Sequence, residues 1–348
     1  MKTRRAAASG LTALAMTGLA LSACGSDDDA TAGDDGPSVL ASFYPLAFVA
    51  ERVAGDHASV DNLTQPGGEP HDLELSARQV GAVTDADLVV YLGGFQPSVD
   101  EAVEQNAEDR GLDTAELVTL LDEHESDHEH GDDHAEDEHT DEAHSDDEHS
   151  DEEHGDDHAD DHAEEGHEGH DHGDLDGDPH IWLDPANLEP IAETVADRLA
   201  DLDPDNADAY HANADDLIAD LHDLDEEFAT GLGQCERQVF VVAHEAFGYL
   251  ADKYNLEQVG ISGIDPEAEP SPERLAQVHD VVKAEGVSTI FYERLVSPAV
   301  AETLAGDLGV EAAVLDPIEG LTDETADQDY FDLMRANLEA LRTANGCS

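Results

Sequence analysis

Short apolar runs alternate along the chain with longer stretches of helical spacing. Val39 to Phe43 reads as a buried strand, and Pro45 then opens a helix that closes at Gly55. "ASVDNLTQPGG" gives a short strand and a Gly-rich turn. "LSARQVGAVTDA" is a helix with Ser76 as its N-cap, "DLVVYLG" a buried strand and "PSVDEAVEQNAED" another helix. "TAELVTLL" leads into a long polar run. Helical periodicity returns at "NLEPIAETVADRLADLD". From Pro204, the residues Tyr210, Leu217, Leu221, Leu224 and Phe228 fall on one helical stripe that reaches about Thr230. The alternation then restarts. "QVFVVAH", "LEQVGIS", "VSTIFYE" and "EAAVLDP" are strands, and "EAFGYLADKYN", "PSPERLAQVHDVVKAEG", "SPAVAETLAGDLG" and "QDYFDLMRANLEALRTAN" are the helices between and after them. Strands alternating with helices predict parallel sheets flanked by helices. The expected architecture is two α/β lobes, residues 39–203 and 231–348, joined by one long helix over 204–230.

Composition alters this picture at one place. From Asp122 to Asp174 there are 27 Asp and Glu, 13 His and no Lys or Arg. Almost nothing apolar lies there to offset the entropy of ordering, so the segment is expected to be a disordered loop interrupting the first lobe. The whole chain has 86 acids against 14 bases and a formal charge of −72. Nucleic acid is excluded as a natural partner, because its phosphates would be repelled, and cations are favoured. Acidity spread over the rest of the chain reads as adaptation to solubility or high salt.

Both ends carry further information. "MKTRR" followed by "AAASGLTALAMTGLA" is a signal peptide over residues 1–23. Leu21-Ser22-Ala23-Cys24 has the form of a lipobox, which would put a lipid on Cys24 after cleavage. Residues 24–38 then form a polar tether, and the mature protein is expected outside the cytoplasmic membrane, anchored by lipid. Cys235 and Cys347 remain as an even pair in an oxidising compartment. A disulfide between them is preferred over two free thiols.

Outside the acidic loop, three histidines stand at strand ends or turns. His71 follows "PGGEP", His180 follows "GDP" and His244 ends "VFVVA". Open α/β sheets place their ligands at such positions. His57, His211, His222 and His279 lie in helices or polar stretches and read as surface residues. A fourth ligand should be a carboxylate, and "VLDPIEGL" supplies both Asp316 and Glu319. Three imidazoles and one carboxylate suit four-coordinate Zn2+, whereas Mg2+ or Ca2+ would take mostly oxygen. Catalytic signatures are weak. "HEAFG" has Gly248 where a zinc protease needs its second His, and neither G-x-S-x-G nor a phosphate loop is present. Glu245 would be the general base of a zinc hydrolase, a reading ranked well below a binding protein.

The segments "SFYPLAFVAERVAGD", "PGGEPHDLELSARQV", "DPHIWLDP", "FVVAHEAFGYLADKYNL" and "ERLVSPAVAETLA…LDPIEGL" resemble the solute-binding lipoproteins of high-affinity zinc and manganese ABC importers, the cluster A-I family. The resemblance is nearest to the zinc-uptake branch and covers about residues 39–346. It implies two lobes bridged by a rigid helix with the metal in the cleft. It also implies no enzymatic activity, an ABC permease as partner and a monomer. His71, His180 and His244 match the three family histidines. Manganese-type members often carry Glu at the third of these positions, which leaves Mn2+ as the less favoured cargo. Members differ in using a carboxylate that matches Asp316 or Glu319, and "PIEGL" favours Glu319. The acidic His-rich insert is typical of the zinc branch. His170 and His172 belong to that insert, where any His can replace another, whereas His180 is a fixed ligand in a rigid frame. A surface adhesin or a metal-storage lipoprotein is the alternative outside transport.

Overall fold

A computed structural model describes residues 36–121, 175 and 177–348. The segment read as a signal peptide over 1–23, Cys24 with the expected tether as far as residue 35, and the insert read over 122–174 lie outside the described residues. The first half runs β1 (Ser38–Ala41), α1 (Tyr44–Ala54), β2 (Ser59–Asn62), α2 (Ala77–Asp85), β3 (Leu88–Tyr91), α3 (Pro97–Asn106), β4 (Gly111–Asp113) and α4 (Leu188–Leu202). A 26-residue helix, α5 (Ala207–Leu232), follows. The second half runs β5 (Val239–Val242), α6 (Gly248–Tyr254), β6 (Glu257–Gly260), α7 (Pro272–Glu285), β7 (Thr289–Tyr292), α8 (Ala299–Leu308), β8 (Glu311–Val314) and α9 (Tyr330–Asn345).

The strands form two parallel four-stranded sheets with the same topology, β2-β1-β3-β4 and β6-β5-β7-β8. The two α/β lobes predicted from the alternation are therefore present. Strand β4 escaped that reading, because "GLD" offers one buried residue and no apolar run, and "TAEL" after it is a 3-10 turn. The helix predicted from Glu245 starts only at Gly248, since residues 245–247 form the turn that delivers His244. Ser76 caps α2 in a reciprocal capping box with Gln79, as its sequence suggests.

Helix α5 buries Tyr210, Ala214, Leu217, Leu221, Leu224, Phe228 and Leu232 along one stripe and packs on α1, α4 and α9. Its length is about 39 Å at 1.5 Å per residue. One apolar core runs from Val39 and Phe43 through Trp182 and the α5 stripe to Phe240, Phe291 and Met334, so both lobes share it. Each lobe also packs a smaller cluster on the far side of its sheet. A shared, close-packed core resists sliding of one lobe on the other. Cys235 and Cys347 are joined by a disulfide, which ties the end of α9 to the segment before β5. Among the described residues, no helix is long and apolar enough to cross a membrane.

Candidate metal centre

In each sheet the order of strands reverses between its first and third strand, and that switch point opens at the strands' carboxyl ends. In the second sheet these strands are β5 and β7. His244 lies just beyond β5 and Glu293 directly follows β7, and His244 Nδ1 meets Glu293 Oε1 at 2.7 Å. His180 precedes the 3-10 turn Ile181–Leu183. The Asp178 carboxylate accepts from the His180 backbone N–H at 2.9 Å and lies 2.7 Å from His180 Nδ1. His71 sits in the turn after the glycines of "PGGEP", its ring edge-on to Phe95 with centroids 4.7 Å apart. Buried Gln96 holds this turn by donating to the Pro70 carbonyl.

Glu319 reaches the same point from the turn after β8. Asp316 Oδ1 accepts from Ile318 N–H at 2.9 Å, and Ile318 adopts a left-handed φ of 60°. Asn337 grips the Asp316 backbone through both its amide atoms, and Trp182 Nε1 donates to the Pro317 carbonyl. The chain thereby turns Glu319 inward, to 0% exposure. Asp316, the alternative fourth ligand, faces Arg294 Nε at 3.1 Å and holds the turn.

The Glu319 Oε1 atom lies 3.4 Å from His71 Nε2 and 3.3 Å from both His180 Nε2 and His244 Nε2. The latter two nitrogens are 3.4 Å apart. All four candidate donor atoms lie within 4.8 Å of one another. These separations are long for charge-assisted hydrogen bonds, which fall at about 2.7–2.9 Å. The four separations of 3.3–3.4 Å match four of the six edges of a tetrahedron, since ligands at about 2.0–2.1 Å from Zn2+ stand about 3.3–3.4 Å apart. Glu319 Oε2 is buried and, among the described residues, has no hydrogen-bond partner, as expected of a carboxylate shaped for a cation.

The carboxylates behind the rings set their chemistry. With Nδ1–H donating to Asp178 or Glu293, Nε2 keeps its lone pair facing the centre. Burial alone would lower the pKa of His244, but Glu293 and Glu319 outweigh it and push it up to about 10. Burial acts the same way on His180, where Asp178 outweighs it and the pKa is raised. Burial would raise the pKa of Glu319, yet the three imidazoles hold it well below the usual carboxylate range.

The structure thus brings His71, His180, His244 and Glu319 together. It leaves His211 and His222 exposed, whereas His279 is half-buried, as is His57, whose ring stands edge-on to Tyr210. Sequence reasoning missed Asp178 and Glu293. The available signals were an acid two residues before a turn His and another at the end of the strand beside β5. Glu245, the base of a hydrolytic reading, is paired with Arg274 Nη2 at 2.8 Å.

Residues 39–344 match the family of the periplasmic component A of zinc-uptake complexes, ZnuA. The chain belongs to this family. It is 33% identical over 313 residues to the zinc-binding lipoprotein AdcA of Streptococcus pneumoniae, covering 88% of this chain and 55% of that relative. It therefore spans about half the length of AdcA. The high-affinity zinc uptake system protein ZnuA of Bacillus subtilis is 33% identical over 343 residues, covering 96% of both chains. Among solved structures, the Zn(II)-bound ZnuA-like domain of S. pneumoniae AdcA aligns with a TM-score of 0.66 at 30% identity, over 89% of this chain and 99% of that one. ZnuA-family proteins are transport components, which agrees with a site built of ligands and holders.

Proposed function

We propose that this chain captures Zn2+ outside the cell and delivers it to an ABC permease. His71, His180, His244 and Glu319 hold the ion, and a lipid on Cys24 keeps the protein at the outer face of the membrane. The observation that carries this reading is the set of tetrahedral-edge distances around Glu319 Oε1. Three neutral imidazoles and one carboxylate make a borderline-soft donor set that favours Zn2+ over Mn2+, which prefers more oxygen ligands and a higher coordination number. The zinc-binding relatives and the family match support the same cargo. Two carboxylate-backed histidines keep their rings aimed without metal, so capture needs little reordering.

Cells lacking this chain should grow poorly when zinc is chelated, and the intact gene should restore growth. His180→Ala should fail to restore it, and Cys24→Ser should restore it only in part. Rescue by His180→Ala equal to that of the intact chain would refute delivery through this site.

A further inference from the structure

Tyr249, on α6, bears no ligand atom, yet it touches both ends of the long connection between Leu121 and Asp178. Its hydroxyl donates to the Asp178 carbonyl at 2.9 Å and accepts from Leu121 N–H at 3.1 Å. The two ends also meet directly, Asp178 N–H donating to Leu121 O at 2.8 Å. Two glycines make the junction tight. Gly177 has a φ of 145°, and a Cβ there would stand 2.6 Å from Leu121 O. A Cβ on Gly248 would collide with Asp178 Oδ2. Everything at this junction converges on Asp178, whose carboxylate fixes the His180 ring and backbone.

We propose that Tyr249 is a positioning residue for the metal centre, holding Asp178, and through it His180, in register with the second lobe. The inference rests on the reading of His180 as a zinc ligand. Its physical basis is chain connectivity. A short loop would hold Leu121 against Asp178 by itself. A long one confines its ends only weakly, because closure depends on the logarithm of loop length. The ends of this long connection must therefore be held by contacts, and the Tyr249 hydroxyl supplies two of the three described here.

The test is a cycle of four proteins: the intact chain and a chain lacking residues 123–172, each with and without Tyr249→Phe. Zinc affinity is read by competition with a chelator, alongside the melting temperature of each metal-free protein. In the intact chain Tyr249→Phe should weaken zinc about tenfold. In the shortened chain, where connectivity holds the junction, it should weaken zinc less than threefold. In the zinc-loaded intact chain, NMR should show faster solvent exchange of the His180 Nδ1 proton in Tyr249→Phe. The His244 Nδ1 proton, held by Glu293, should be unchanged and serves as the internal reference. Gly177→Ala, which strains the junction from the other side, should reproduce the selective effect. An equal loss in both backgrounds, faster exchange at both histidines, or no effect in the intact chain would each overturn the proposal. His180→Ala in both backgrounds separates the two readings: if it leaves the tight site intact, the metal centre itself has been misassigned.

Discussion

A carboxylate at 0% exposure among three imidazoles needs positive charge beside it, supplied by protons or by a metal ion. In the metal-free protein protons serve, and His244 keeps its own up to about pH 10. Zinc binds neutral imidazole and must displace them. The sign follows from linkage. The folded pKa of His244 lies above the unfolded value, so its protonation stabilises the metal-free fold fully below about pH 6.5. That contribution is lost as pH rises toward 10. Stabilisation by zinc has the opposite dependence, because proton competition fades over the same range. The difference in melting temperature between zinc-loaded and metal-free protein should therefore widen from pH 6.5 to 9.5. A difference that narrows over that range would contradict protonated histidines in the empty site.

The turn after β8 gives two nearby acids different surroundings, Glu319 as the proposed ligand and Asp316 as the residue that holds the turn. Asp316 and Glu319 lie three residues apart, and both are acids at a strand end. The bond from Ile318 N–H to Asp316 and the left-handed Ile318 give them different tasks. Glu319→Gln should lower zinc affinity at least 100-fold. Asp316→Ala should lower the melting temperature and weaken zinc about tenfold, with one tight site retained. Chelator competition and thermal melts on the two variants check this contrast, and equal losses of affinity would contradict it. The two lobes and the long helix were legible in the sequence because apolar runs and helical stripes dictate them locally. His71, His180 and His244 were legible because each sits at a turn or strand end. The choice of Glu319 needed the family resemblance, since nothing local distinguishes it from Asp316. Asp178 was missed although it stands two residues before His180, because an acid in so acidic a chain does not stand out, and Glu293 because it meets His244 only when β5 and β7 lie side by side. Strand β4 was missed for a related reason, its short polar sequence being a strand only beside β3.

At the scale of the molecule, acidity and metal capture have separate causes. A formal charge of −72 repels itself in the compact state, and that repulsion is screened within about 3 Å at 1 M salt against about 10 Å at 0.1 M. The urea midpoint of the metal-free protein should rise between 0.1 and 2 M KCl, and a flat or falling midpoint would remove the case for adaptation to salt. Selectivity for the cargo must come instead from the four ligands, because a negative field attracts every cation alike. The shared core and the α5 bridge hold the four proposed ligands from both lobes at a fixed spacing. The most direct test uses the protein lacking residues 123–172, stripped of metal and titrated with Zn2+ and with Mn2+ against a chelator of known affinity. One tight Zn2+ site per chain, lost in His180→Ala and filled at least 100-fold more weakly by Mn2+, is the predicted result. No tight site, or Mn2+ bound as tightly as Zn2+, would contradict it.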